Sequence, residues 1–377
     1  MNAYPEGTIL HVKAGPHERR GAWVALPAGA DPGGGNQTWE LLGAGREPLA
    51  CGVAQRVGEE LILALPDLPA EATAELRLRE ALPEEIPGVS VRRGEGAWDF
   101  LIGDELFTTV VVRPEAARPY CYPLRGPGGV GMTNLGPADH RHHRSLYSAH
   151  GSVNGADNWS EAPEHARTAN RAAWVVSEGP VCGELALEND WETADGSKLL
   201  AESLRLRVYA TGDDCRVLDW DLTWKAAYGS VFFGDTKEAG TLAVRVAESL
   251  EGSRGGRIVN GYGAVGETEC WGQPAPWVDY SGLCEGRAVG IALFDHPDNF
   301  RYPTPWHVRD YGLFAANCWG LHDFAEDWSV RGDYALARGE SLHWRFRVCL
   351  HEGDEQQGRV AARYLDFAYP PRVGVLV

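Results

Sequence analysis

Apolar and polar residues alternate with a period of two along much of the chain. Leu204, Leu206 and Val208 oppose Arg205, Arg207 and Tyr209, and Leu218, Trp220, Leu222 and Trp224 oppose Asp219, Asp221, Thr223 and Lys225. Leu342, Trp344, Phe346, Val348 and Leu350 likewise oppose His343, Arg345, Arg347 and His351. This period predicts strands with one dry and one wet face. Such strands suit antiparallel sheets packed face to face, because parallel sheets are buried on both sides and read as continuous apolar runs. The prediction is an all-β protein built on a large antiparallel β-supersandwich. Shorter strand runs fall at 8–12, 22–26 and 61–65, and an apolar one at 288–294. Helical spacing is confined mainly to 355–368, where Val360, Tyr364, Leu365 and Ala368 share a face before Pro370 and Pro371 end it.

The chain's 377 residues suit two domains, or one large β unit with an appendage. The Pro/Glu-rich stretch "ALPEEIPG" suggests a boundary, giving a small N-terminal β-sandwich over 1–88 and the supersandwich over 89–377. With 53 acidic and 35 basic residues the net charge of −18 repels phosphate backbones and anionic lipid, and no Lys/Arg run offsets it, so nucleic acid is not an expected partner. No apolar run approaches the roughly 18 residues that would cross a bilayer. The start, MNAYPEGTILHVKAG, has no secretory pattern, so a cytoplasmic location is expected and the Asn158-Trp-Ser sequon carries no meaning. Eight cysteines without a C-x-x-C pair argue against a zinc ribbon or a thioredoxin-like centre and are expected to be mostly buried thiols.

Candidate chemistry gathers in a few segments. "DHRHHRSLYSAHG", 139–151, packs four histidines and two arginines into thirteen positions. In one extended strand His142 and His150 would lie ~26 Å apart, too far to share an ion. His140 and His142 are close enough to chelate, and a carboxylate from elsewhere would complete a two-His-one-carboxylate site. Proton transfer or a plain polar loop are the other readings. A second segment, "DHPDNFRYPTPWHVRDYG", follows an apolar strand. Strand alternation there would put His307, Arg309 and Tyr311 on one side and Trp306, Val308 and Asp310 on the other. An acid/base, a cation and a phenol suit a polyhydroxylated substrate. "GDTKEAG" offers Asp235, Lys237 and Glu238 in a glycine-bounded turn, and "CWGQPAPWVDYSG" offers Trp271 and Trp277 as flat surfaces for a sugar ring.

Taken in order, "RPYCYPLRGPGGVGMTN", "DHRHHRSLYSAHGSVNGADNW", "GDTKEAG", "WGQPAPWVDYSG" and "DHPDNFRYPTPWHVRDYGLFAAN" resemble a bacterial family labelled PmoA-like after methane oxygenase, over about residues 118–320. His140, His142, His143 and Arg144 match that family's "DHPHHRG", whereas Arg141 replaces its Pro and Ser145 its Gly, and Asn158 stands where Phe is common. The label implies a subunit of a membrane copper oxygenase, which the lack of a spanning run sets aside. The resemblance further implies a galactose-mutarotase-like supersandwich with an open concave sugar site, in relatives that accompany sugar oxidoreductases and glycoside catabolism.

The combined reading is a carbohydrate-active enzyme of glycoside catabolism, of epimerase, lyase or hydratase type, acting on a sugar or an oxidised (keto) glycoside. His143 and His307 form the acid/base pair, with Glu238 as an alternate base. His140, His142, Arg144, Asp235, Lys237, Trp271, Arg309 and Tyr311 are assigned to substrate. Two other readings stay open: a non-catalytic saccharide-binding accessory protein, and a non-haem metal oxygenase with a divalent ion. The expected partner is a small saccharide or glycoside, and the oligomeric state is not legible.

Overall fold

The computed structural model describes residues 4–28, 37–80 and 88–376. The "ALPEEIPG" boundary, apart from Gly88, lies outside the described residues.

The alternating segments form strands in three large sheets, all with antiparallel pairing. Sheet I has seven strands. It contains Ile9–Lys13, Trp23–Pro27 and Glu60–Ala64, close to the predicted runs, and it is completed at its edge by the C-terminal strand Arg372–Leu376, which pairs with Ile9–Lys13. Its dry faces enclose one core that includes Leu10, Trp39, Leu63 and Leu76.

Sheets II and III have eight strands each. Sheet II runs in space from Trp306–Val308 through Leu313–Ala316, Ala239–Arg245 and Leu146–His150 to Tyr120–Leu124, then to the three strands before it in sequence. Sheet III is built around Lys198–Tyr209, Cys215–Lys225 and Ser341–Glu352. The apolar faces predicted for those three strands all point into one core, where Leu206, Leu222, Trp344 and Val348 meet Leu146, Leu242, Phe314 and Trp306 of sheet II. Burying long rows of Leu and Trp between two sheets is what makes this pair the body of the molecule.

The outer face of sheet III is also covered. Val57 and Ile62 of sheet I and Val360, Tyr364 and Ala368 of the C-terminal helix pack on Tyr209, Val217 and Cys349. That helix is Val360–Ala368, shorter at its start than predicted. Asp354 accepts the backbone N–H groups of Gln356 and Gln357, and Arg359 adopts a left-handed φ of 54°, so the preceding residues form a turn. Asp366 takes the buried place expected of half-buried Leu365, because it pairs with buried Arg19 at 2.9 Å. The described cysteine side chains, 121, 182, 215, 270, 284, 318 and 349, are buried and free. Among the described residues no helix is long and apolar enough to cross a membrane.

Candidate functional site

The outer face of sheet II carries a row of directly paired residues: Tyr120, Tyr147, Ala243, Ala315 and His307. The two alanines leave a hollow between a phenol and an imidazole. Trp159 lies in it, with ring centroids 5.7 Å from Tyr147 and 6.4 Å from His307. Trp159 arrives on a turn in which Asp157 Oδ1 accepts the N–H groups of Trp159 and Ser160 at 2.7 and 3.1 Å. Buried Arg118 fastens that turn to the histidine loop, donating to the carbonyls of Asn158, Trp159 and His142 and to Glu161.

The histidine segment is a turn leading into the strand Leu146–His150, with Ser145 at a left-handed φ of 67°. His140 stacks flat on His143 and on Tyr311, each at 4.6 Å between centroids, and His142 meets His143 edge-on at 4.6 Å. His143 Nδ1 accepts from Arg245 Nη1 at 3.3 Å, so its Nε2 carries the proton. Burial, reinforced by the neighbouring His142, His140 and Arg245, pushes the His143 imidazole far below its ordinary range and keeps it neutral. His142 is lowered in the same way, first by burial and then by His140 and Arg118.

His307 sits on the short strand Trp306–Val308, opposite in direction to the core residues Trp306 and Val308. Its Nδ1 donates to the Lys237 carbonyl at 2.7 Å, which fixes the tautomer and leaves a lone pair on Nε2. Burial, with Arg309 nearby, pulls this imidazole down to about 3. The predicted alternation ends at Val308, because residues 309–312 turn back in a hairpin. Arg309 and Tyr311 still reach the site from the turn, but Asp310 is exposed and does not join the core face. The Arg309 guanidinium lies 3.8 Å over the Trp271 ring and pairs with Glu267 at 2.8 Å, while Trp271 meets His307 edge-on at 4.9 Å.

The three polar segments therefore converge. His140, His142, His143, Lys237, Glu238, His307, Arg309 and Tyr311 border one region, with His143 and His307 buried and Lys237 and Glu238, which pair with each other, on its half-exposed rim. The Glu238 carboxylate acts electrostatically on His142, Tyr147 and Tyr311. Burial raises the Tyr311 phenol to about 12, so it stays protonated.

Several expected roles are not met. Asp235 points away from the hollow: its buried carboxylate pairs with His322 Nδ1 at 2.7 Å and accepts the Gly332 N–H, tying down segment 320–332. Arg144 is held by Glu161, its Nε donating at 2.9 Å. One face of Trp271 is taken by Arg309, and Trp277 is core between sheet III and the C-terminal helix. His150 is buried in its strand with Nδ1 accepting from Ser152 N, well apart in role from His142. His140 and His142, the expected chelating pair, lie edge-on with centroids 5.7 Å apart, and among the described residues no group of three or more His, Cys, Asp or Glu is arranged to hold a metal ion.

Sequence reasoning missed Tyr147, Trp159, Arg118, Glu161 and Arg245. Tyr147 stood inside the quoted histidine segment, and Trp159 was visible only as part of a sequon. Nothing in the local pattern marked Arg245, whose guanidinium bridges Asp139 and Glu251 at 3.0 and 2.9 Å and lies 5.0 Å over the Tyr311 ring.

The fold and hollow together define an all-β protein of three large antiparallel sheets with a polar aromatic cluster on one outer face. Residues 97–365 match the model of a family of unknown function (DUF6807), and the chain belongs to that family. The family's description assigns no oxygenase activity. No curated protein matches the sequence. Among solved structures, the chain is similar to an α-mannosidase from Enterococcus faecalis V583 (9% identity, TM-score 0.42, all of this chain and 47% of that one). A glycosyl hydrolase family 38 protein from Enterococcus faecalis gives 8% identity and a TM-score of 0.41, with 48% of its length covered. The chain thus spans about half the length of these two proteins. An Escherichia coli K12 protein assigned provisionally as an aldose 1-epimerase gives 13% identity and a TM-score of 0.27, over 70% of this chain and 99% of that one. All three TM-scores lie under 0.5, so the architecture stands on the strand pairing above and not on these likenesses.

Proposed function

We propose that this protein is a carbohydrate-active enzyme that moves a proton on a sugar or keto-glycoside, with His307 as the base. One observation carries the reading: His307 Nε2, Tyr147 Oη and Trp159 Nε1 are buried without a hydrogen-bond partner, and the Trp159 ring lies against both of the others. Buried polar atoms are nearly always paired, so three orphans around Trp159 need a water or ligand partner, and a sugar reaches them only when Trp159, which fills the hollow, moves aside. They supply an acceptor, a donor-acceptor and a donor. That set matches hydroxyl and carbonyl oxygens and carries no net charge, as a neutral sugar requires.

In this proposal the lone pair of His307 Nε2 takes the proton from a carbon beside a carbonyl. The electron pair moves onto the carbonyl oxygen, where the positive charges of Arg309 and Lys237 stabilise it. Reprotonation on the opposite face by the Nε2–H of His143, with the negative charge left on that ring facing Arg245, gives an epimer, whereas loss of a β-substituent gives an elimination product. A base whose conjugate acid is pulled down to about 3 is weak, so bound substrate must exclude water and add negative charge to raise it. The test is deuterium uptake from D2O at carbons next to the carbonyl of keto-glycosides and free aldoses. Uptake with the wild-type protein and none with His307→Ala supports the reading, and no uptake with any keto-glycoside or free aldose refutes it.

The strongly lowered His143 and His307 also favour a second reading, a saccharide-binding protein without turnover, since neutral histidines can accept hydrogen bonds without exchanging protons. Binding by calorimetry in the absence of any deuterium uptake would select it.

A further inference from the structure

A second cleft opens on the opposite side of the sandwich, where sheet I and the C-terminal helix lean on the outer face of sheet III. It has a volume of about 240 Å³. We infer that this cleft is a binding site for a neutral monosaccharide-sized ring, separate from the histidine hollow, since the whole sandwich core lies between them.

Its floor alternates charge by strand register: Glu184, Arg207, Asp219 and Arg347 in one row, Arg205, Asp221 and Arg345 in the next. Arg347 holds Asp219 through two bonds of 2.6 and 2.9 Å, and Arg207 holds Glu184 at 2.7 Å and reaches Glu60 of sheet I at 2.7 Å. Because every guanidinium in these pairs already faces a carboxylate, a charged ligand of either sign would have to break an ion pair to bind. A neutral polyol instead takes the lone pairs and N–H groups left over. Arg345 Nε is buried without a hydrogen bond, and Glu184 Oε1 has no hydrogen bond beyond its loose 3.4 Å ion pair with Arg205.

The walls supply the apolar half of the match. Trp23 lies against Tyr209 at 4.4 Å with the rings tilted by 33°, and the rings of Trp23 and Phe367 flank the Arg347 guanidinium at 5.4 and 4.8 Å. A flat aromatic wall beside a dense polar floor fits the two faces of a pyranose. The cleft is preformed, because its walls are pinned by the buried Arg19–Asp366 pair and by Gln55, which bonds Ser177 Oγ and the Cys182 carbonyl at 2.8 and 2.9 Å. Its size is at the small end for ligand clefts, so it takes one ring and not a chain.

The test is calorimetric titration of the full chain with methyl glucosides, methyl mannosides and glucuronate. The expected result is binding of a neutral glycoside that persists in His307→Ala and weakens about tenfold or more, roughly 1.4 kcal/mol, in both Trp23→Ala and Arg345→Gln. Arg345→Gln guards against misfolding as the cause, because its partner Asp298 is exposed; circular dichroism and Tm of each variant check this. Absence of neutral-glycoside binding, binding indifferent to both variants, or a preference for glucuronate overturns the inference. Deuterium uptake at the histidine hollow is read separately, so either proposal can fail alone.

Discussion

At the residue scale, His307 is the side chain on which most depends. His307→Ala is expected to lower turnover by roughly 10²–10⁴-fold, the usual worth of a general base, while the circular dichroism spectrum is kept. The same residue makes stability depend on acid. Its folded pKa of about 3 lies below the unfolded value of 6.5, so between those pH values the unfolded chain binds the extra proton. The stabilisation is complete above pH 6.5 and is lost as pH falls toward 3. His150, also lowered to about 3 by burial, and His296, lowered to about 4, act in the same direction. Thermal unfolding followed from pH 7.5 to 4.5 should show Tm falling, and His307→Gln should flatten part of the slope. Equal slopes in both proteins would remove His307 from the acid response. The sequence put His307, Arg309 and Tyr311 on one side of a strand, but that strand ends at Val308, and Arg309 and Tyr311 approach the region from the hairpin turn that follows. It could not show that Trp159 fills the space between His307 and Tyr147, because that contact is made across chain-distant segments.

At the scale of elements, the hollow exists because two alanines sit where sheet II elsewhere carries larger side chains. Ala315→Leu is expected to displace Trp159 and cost roughly 1–3 kcal/mol through overpacking, with a shift in tryptophan emission as the accompanying sign. Denaturant unfolding checks the first and fluorescence the second. Asp235 works on a different element. Its carboxylate gathers His322 and the Gly332 backbone, so Asp235→Ala should cost roughly 3–5 kcal/mol and expose segment 320–332 to limited proteolysis. From sequence alone Asp235 looks like a substrate ligand beside Lys237. A carboxylate in a glycine-bounded turn is equally suited to capping backbone, and only the position of a loop about ninety residues away decides which.

At the scale of the whole molecule, strands far apart in sequence are joined in one sheet. The strand Arg372–Leu376 completes the edge beside Ile9–Lys13, and Arg19 reaches Asp366 in a buried ion pair. Truncation after Pro371 should remove this edge strand and leave Ile9–Lys13 as the new edge, lowering Tm, which thermal unfolding would detect. Asp366→Ala strands the Arg19 charge and should cost roughly 3–5 kcal/mol by denaturant unfolding.

The residue pattern by itself determined the all-β architecture, because a period of two with apolar rows has no stable solution except sheets packed on their dry faces. It also marked as candidates the segments where His, Arg, Lys and Glu cluster, because such groups are costly to bury without partners. Tertiary structure alone decided which of those side chains look into the hollow and which are spent on other duties. Arg144, Asp235 and one face of Trp271 go to Glu161, His322 and Arg309, because hydrogen bonds and ion pairs are settled by distances in space that local spacing does not encode.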